Sequence, residues 1–544
     1  MKYLVLFGFL LFTSLHSSLF AQTIPVGVLE DVEDVYRRDQ LLGLDSLNRS
    51  FMIRPLFIQS ESEQPFRKLM LTSDEYKAKV YLLPIVLQQQ MNHRPFGSND
   101  GAMITNKGYG AVFSAGVYVE VGPVSLQLRP EYVYAENKKF RSILATTNAA
   151  DFVSSYQRLM SSIDMPERFG DKPYSKLNLG QSSLRVAHEG FSFGISNENI
   201  WWGPGTFNSL LMSNNAPGFV HFTLNTVKPL ETPAGNVEAQ LILGTLKSSG
   251  VRLPEQLNLD SKHESNRQIA GFAITYQPKW VEGLYLGFDH TSVTNKKKNK
   301  KEWPEAQLYV SNLNKNQNAD NYSSFFAKWV MPEAKAEFYL QYGFKKYNFE
   351  LPATKTEPSA QHSDNIRAYI AGFSKLIPTN REDDEFIKVG VELTEMNNKN
   401  VRNLYPWPSW YNSYVVTDGY TNKGQVLGAA VGPGGSMQSL EVAWVKGFKR
   451  IGFQVDRMVQ NNDMFYSMRP YTADIRRHWV EFALGGKIDW EFNRFLINSK
   501  LTYIRSLNYQ YMFDRPADRY KDFWDWNKQD AQNLQLKLGV MYRF

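Results

Sequence analysis

The chain has 544 residues, no cysteine, and a net charge of +7 from 61 basic and 54 acidic residues. Without cysteine there is no disulfide framework, no thiolate metal site, no cysteine nucleophile and no lipid-attachment thiol behind the N-terminal segment. A mean hydropathy of −0.40 beside 14% aromatic residues fits strands that alternate lipid-facing and lumen-facing side chains, because such a chain averages as soluble while its aromatics gather at the membrane interfaces.

The first elements are a leader and a helix. MKYLVLFGFLLFTSLHSSLFAQT carries Lys2, a short apolar run from Leu4 to Leu15, and Ala21 before Gln22. This is the pattern of a secretory signal peptide over residues 1–21, cut after Ala21. The run falls short of the roughly 20 apolar residues that a membrane span needs. In residues 22–50, Val32, Val35 and Tyr36 share one side, Leu41 and Leu42 follow, and Gly43 ends the pattern, which predicts a short periplasmic helix.

From residue 51 onward the period changes from helical to two. In AVFSAGVYVEV, Phe113, Ala115, Val117, Val119 and Val121 oppose Ser114, Gly116, Tyr118 and Glu120. Phe272, Ile274 and Tyr276 share a face, as do Phe338, Leu340, Tyr342 and Phe344, and as do Val480, Phe482, Leu484 and Ile488. The final segment, NLQLKLGVMYRF, puts Leu534, Leu536, Leu538, Val540, Tyr542 and Phe544 on one face, with Lys537 and Gly539 on the other. Short links (PKWVEG, MPEAK, GFKR, DWEFN) alternate with long polar ones such as 248–266, 291–321, 345–365, 396–439, 460–477 and 506–532. These features predict an all-β fold: a transmembrane antiparallel β-barrel of about eighteen strands over residues 51–544, with short periplasmic turns and long extracellular loops. The terminal Phe544 resembles the signal through which barrel-insertion machinery recognises its clients.

Counting strands back from that end assigns sides. Residues 136–180 follow the strand Val124–Tyr134 and fall in the periplasm, where Phe152, Val153, Tyr156, Leu159, Met160 and Ile163 recur at helical spacing. A strand from Leu184 to Ile195 then runs outward. Residues 196–217 form the next loop, extracellular or folded inward into the barrel mouth, and carry IWWGPG followed by NSLLMSNNAPGF.

These last motifs, with LRPEYVYAEN at Leu128–Asn137, SFMIRPL at Ser50–Leu56 and the terminal Phe544, resemble the Wzi family of capsule-assembly outer-membrane proteins. The resemblance implies an eighteen-stranded barrel with periplasmic helices, no open pore, and a role as a surface lectin for capsular polysaccharide. Trp201, Trp202, Gly203, Pro204, Gly205, Asn214 and Asn215 form the family motif. Gly203 and Gly205 permit backbone angles closed to other residues, Pro204 fixes one between them, and the asparagines can satisfy local backbone, so a rigid constriction is favoured over direct ligand contact.

Carbohydrate recognition needs flat aromatic faces and hydrogen-bonding amides, carboxylates and guanidinium groups. Two long loops offer them: Tyr405, Trp407, Trp410 and Tyr411 in one, Arg515, Arg519, Trp524 and Trp526 in the other. The competing role for any one of these tryptophans is the outer interfacial girdle. The tract NKKKNKK at 295–301 reads as a solvated loop tip, or as a site for acidic polysaccharide or lipopolysaccharide phosphates.

No HExxH, GxSxG, phosphate-binding loop or dinucleotide fingerprint occurs. No catalytic residue, metal or cofactor is therefore expected. The expected partners are surface polysaccharide, outer-membrane lipid and lipopolysaccharide, with no nucleic acid, and the expected state is a monomer in a Gram-negative outer membrane. A diffusion porin or sugar channel is the alternative reading, and an outer-membrane hydrolase using a residue such as His188 is a third.

Overall fold

A computed structural model of the chain describes residues 22–27, 30–45, 48–58, 67–146, 150–251, 266–295, 319–351, 360–379, 384–398, 409–466, 478–511 and 530–544. Eighteen antiparallel strands close into one barrel. The first six are β1 (Ala78–Asn92), β2 (Gly108–Val121), β3 (Val124–Leu128 resuming at Glu131–Ala135), β4 (Tyr174–Asn178 resuming at Ser183–His188), β5 (Phe191–Ser196) and β6 (His221–Thr226 resuming at Leu230–Thr232). Then come β7 (Gly235–Leu246), β8 (Arg267–Pro278), β9 (Leu284–Asn295), β10 (Ala319–Met331), β11 (Ala336–Leu351) and β12 (Ala360–Pro378). The last six are β13 (Glu385–Glu395), β14 (Ser436–Lys446), β15 (Lys449–Val459), β16 (Val480–Phe492), β17 (Phe495–Leu507) and β18 (Ala531–Tyr542). Closure comes from β18 pairing with β1, from Gln535 opposite Asn92 to Tyr542 opposite Ile85.

The alternation in sequence becomes two environments. Leu534, Leu536, Phe338 and Leu340 are 43%, 45%, 51% and 45% exposed on the outside, where lipid would cover them, whereas their neighbours Gln535 and Glu337 are buried in the lumen. At the short-turn end, Trp280, Trp329, Trp490 and Phe492 remain exposed as an aromatic belt. The strands β11 and β12 run on to Leu351 and from Ala360, so most of the link expected over 345–365 is ladder rather than loop.

The wall begins later than residue 51. Residues 48–58 lie inside the lumen, where Ile53 and Arg54 pair with Trp202 and Trp201. Ahead of β1, the strand Lys68–Ser73 forms only a hairpin with the start of β1.

The side assigned to residues 136–180 is corrected. Leu184–Ile195 is not one strand: Glu189 (φ 47°) and Gly190 (φ 90°) make a two-residue reversal that sets His188 opposite Phe191. That extra reversal returns the preceding helix and the motif loop to the same end of the barrel. The helix α2 (Ala150–Ser162) accordingly sits among the long links. The Ser162 carbonyl accepts from the Ser413 N–H at 2.8 Å, and the Asp418 carbonyl accepts from the Asp164 N–H at 2.9 Å. The reversal was hidden because both arms carry the same period-2 pattern.

The helix α1 (Glu30–Leu41) occupies the short-turn end. Arg38 in its last turn complements the helix dipole. Gly43 (φ 72°) ends it, with the Leu44 N–H returning to the Asp39 carbonyl at 2.8 Å. Asp34 ties α1 to the wall through Lys388 at 2.5 Å, Arg450 at 3.8 Å and, within the helix, Arg38 at 3.0 Å. Burial alone would raise the Asp34 carboxyl, but Lys388, Arg38 and Arg450 outweigh it and hold its pKa well below the ordinary value. A carboxyl depressed in the folded state binds protons better when unfolded. Its stabilising contribution is therefore complete above about pH 5 and is lost as the pH falls toward the folded pKa. Replacing Asp34 by Asn is expected to cost about 3 kcal/mol at neutral pH, because two buried wall cations, Lys388 and Arg450, each lose one of their carboxylates. The difference from wild type should shrink in acid. Thermal denaturation of both proteins in detergent at pH 7 and pH 3 checks this, and an equal difference at both values would refute the assignment.

Candidate functional site: the lumenal plug and the outer end

The motif loop descends into the barrel and becomes its core. Ile200, Trp202, Leu210, Leu211 and Met212 pack with Tyr156, Leu159, Met160 and Ile163 of the α2 segment and with Trp410, Tyr411, Val416 and Tyr420 from the long link after β13. This is a hydrophobic core, close in character to that of a soluble domain, enclosed by the barrel wall. Trp202 has no exposed surface, and its indole N–H donates to Gln240 of β7 at 2.7 Å. Trp201 is 4% exposed, with the Arg54 guanidinium stacked 4.3 Å from its ring centre. Neither presents a face to solvent.

The Gly-Pro-Gly corner is neutralised from both sides. Its carbonyls point at arginines: Arg37 donates to Pro204 at 3.0 Å and Arg54 to Gly205 at 3.2 Å. Beyond it, the backbone N–H groups of Thr206, Phe207 and Asn208 all donate to the carboxylate of Glu392, at 2.7, 3.1 and 2.7 Å, and the Tyr339 hydroxyl donates to it at 2.8 Å. Glu392 is a lumen-facing residue of β13. A Cβ on Gly205 would lie 1.9 Å from the Asn208 carbonyl oxygen, and one on Gly203 (φ 107°) would press on Gln341 of β11. Only glycine fits at Gly205 without moving backbone.

The asparagines complete the plug. Asn214 donates to the Asn99 carbonyl at 2.8 Å and Asn215 to the Val426 carbonyl at 3.0 Å. At the seam between β5 and the motif, Arg185 and Glu198 form a buried pair at 2.7 Å.

Of the residues read as sugar platforms, Trp410 and Tyr411 stand elsewhere. Both are fully buried. Trp410 packs edge-on to Tyr322 with centroids 5.6 Å apart, Tyr411 stacks with Tyr420 at 5.9 Å, and the Tyr411 hydroxyl donates to the Leu210 carbonyl at 2.7 Å. Their loop turns down to roof the core, so these two rings serve packing rather than solvent. Tyr405, Trp407, Arg515, Arg519, Trp524 and Trp526 lie outside the described residues, as does 296–301 of the lysine-rich tract. Sequence reasoning passed over Glu392, Tyr339, Arg37 and Arg54. Glu392 had a signal, being the one carboxylate at inward parity between Val391 and Leu393. Its partner, a run of backbone N–H groups, carries none.

Among the described residues no group of His, Asp and Glu has the arrangement of a metal site. The geometry defines a class: an outer-membrane-type β-barrel whose lumen is packed by its own chain. Within that class the protein belongs to the Wzi capsule-assembly family, since the model of capsule assembly protein Wzi matches residues 88–495. A comparison with curated protein sequences gives no match. Among solved structures the chain is similar to Wzi of Escherichia coli, described as a carbohydrate-binding β-barrel involved in group 1 capsule assembly. The identity is 11%, the TM-score 0.57, and the match covers 96% of this chain and 99% of that one. A BenF-like porin of Pseudomonas fluorescens (8% identity, TM-score 0.40, 87% and 100% covered) and OccAB2 of Acinetobacter baumannii (8%, 0.41, 85% and 98%) also align. At those scores the likeness carries no argument.

Glu392→Gln removes the charge that three N–H groups converge on, and Gly205→Ala forces the corner open. Each is expected to destabilise the plug by about 1–3 kcal/mol or more. Melting of the purified variants followed by tryptophan fluorescence checks this; wild-type melting of both would show that the clamp does not hold the plug.

Proposed function

We propose that the protein is a non-enzymatic outer-membrane lectin that holds exported capsular or other surface polysaccharide at the cell surface. The observation that supports this most is the filled lumen. The motif loop, α1, residues 48–58 and residues 409–431 occupy the space that a diffusion channel would keep open, which favours a binding surface over a passage. The E. coli relative, described as carbohydrate-binding, supports the same ligand class here. Membership of the capsule-assembly family supports placement in the outer membrane of a Gram-negative cell after removal of residues 1–21.

On this reading the protein is a monomer, inserted through its terminal Phe544 and surrounded by lipid and lipopolysaccharide. Trp407, Trp524 and Trp526, with Tyr405, Arg515 and Arg519, supply the contacts to sugar. Trp201, Trp202, Trp410 and Tyr411 act as support through their packing in the lumen. The porin reading differs in a measurable way. Purified wild-type protein in planar bilayers is expected to give no steady large-pore conductance, and such a conductance would refute the lectin-only reading. Replacing Trp524 and Trp526 together by Ala is expected to release polysaccharide from cells while the protein keeps its heat-dependent shift in gel mobility. Trp410→Ala should instead lower the melting temperature, because a fully buried Trp→Ala change costs about 3–5 kcal/mol. Wild-type retention in the double variant would remove that loop from the sugar site.

A further inference from the structure

We propose that Lys176, Lys247 and Lys423 form an anion-binding surface at the long-link end of the barrel that receives acidic units of the exported polysaccharide. The identity of the polymer rests on the reading above; the surface itself rests on packing. Lys423 stands at the tip of a short hairpin over residues 421–426, where Lys423 (φ 51°) and Gly424 (φ 85°) make a two-residue reversal. The Lys423 N–H donates to the Lys247 carbonyl at 2.7 Å, and the Lys423 ammonium donates to the Asn178 side-chain oxygen at 2.7 Å. Lys176 shares the inward face of its strand with Asn178 and is directly opposite the buried Val133 of β3. Lys176 and Lys247 are exposed, and Lys423 is half-buried.

Among the described residues none of the three lysines forms an ion pair. The carboxylates of this end are engaged elsewhere. Asp171 pairs with Arg168 at 2.9 Å, Glu136 with Lys138 at 2.8 Å and Asp418 with Arg267 at 3.7 Å, and Asp164 accepts from the Ser249 N–H at 2.6 Å. Among the described carboxylates Glu131 is the one whose charge acts on Lys423, and it is buried on β3 with the Gln181 amide donating to it at 2.9 Å. Partial burial and the ammonium groups of Lys176 and Lys247 outweigh Glu131 and push the Lys423 pKa below its ordinary value. The backbone of the turn is wedged in place: a Cβ on Gly424 would lie 2.9 Å from Ser249 and 3.0 Å from Phe169. An ammonium carried on a fixed turn beside two others is relieved by an anion brought from outside.

Aromatic rings flank these charges. Phe169 packs edge-on to Tyr174 with centroids 5.9 Å apart, and the Lys176 ammonium stands 5.0 Å over the Tyr174 ring. Both rings are half-buried. Rings beside cations suit a sugar that stacks its C–H face while its carboxylate meets an ammonium. A phosphate carried by membrane lipid fits less well. Leu177, 74% exposed, takes the lipid side of this strand, and Lys176 beside it points the other way. Single exposed ion pairs contribute little, so separated surface charges suit a polymer of repeated acidic units better than one small anion.

The test is isothermal titration of the purified full-length barrel in nonionic detergent at low ionic strength. The separate probes are oligogalacturonate, dextran and the soluble phosphorylated core oligosaccharide of lipopolysaccharide. Oligogalacturonate is expected to bind, less tightly as salt is added, and dextran and the phosphorylated core to bind about tenfold or more weakly. The triple variant Lys176→Met, Lys247→Met, Lys423→Met should weaken oligogalacturonate by about tenfold or more, and arginine at the same three positions should keep it. The control Lys68→Met, Lys77→Met, Lys279→Met removes the same charge at the short-turn end and should bind as wild type does. The heat-dependent gel shift confirms that each variant is folded. Equal binding of dextran or of the phosphorylated core, unchanged oligogalacturonate binding in the first triple variant, or an equal loss in the control would each overturn the proposal. If the wild-type protein binds oligogalacturonate through these lysines yet ignores the polysaccharide of its own cell, the lectin reading fails and the anion site stands. If the first triple variant loses oligogalacturonate yet keeps full binding of that polysaccharide, the lectin reading stands and the proposal is overturned.

Discussion

The contact on which the plug depends is between one carboxylate and one turn. Glu392 projects inward from β13 and collects the N–H groups of Thr206, Phe207 and Asn208. On the other face of the same corner, Arg37 and Arg54 take the carbonyls of Pro204 and Gly205. Inside a closed wall, unpaired backbone groups have no water to turn to, so a descending loop can persist only if its polar atoms are met by fixed partners. Proline at the apex helps by having no N–H to satisfy. With the corner held, Trp201 and Trp202 pair with Arg54 and Ile53, and the apolar residues on either side can build a core against α2 and residues 409–431.

That core explains how an exported chain without cysteine is stabilised. The strand ladder closes the wall, and the interior adds a second hydrophobic volume in place of disulfides. The charged layer nearer the short-turn end, where Asp34, Lys388, Glu441 and Arg450 meet, fastens α1 beneath it. The lumen is thus layered: an ionic base, the clamped corner, and an apolar roof under the outer loops.

The wall was legible in the sequence because a lipid-facing strand has no freedom to hide its pattern. Leu534, Leu536, Phe338 and Leu340 face lipid and are apolar for that reason alone. The reversal at Glu189-Gly190 was not legible, since it interrupts two identical alternations without a long polar break, and missing it put α2 at the wrong end. The roles of Trp410 and Tyr411 were misread for a different reason. An aromatic residue in a polar link looks the same whether it meets a sugar or a core, and only the path of the chain decides.

The clamped corner and the packed lumen make a scaffold that is held rather than gated. The most direct measurement is the binding of polysaccharide purified from the protein's own cell to the folded barrel in detergent. The account predicts saturable binding that an unrelated neutral glycan does not displace. A folded barrel that binds none of that polysaccharide would contradict it.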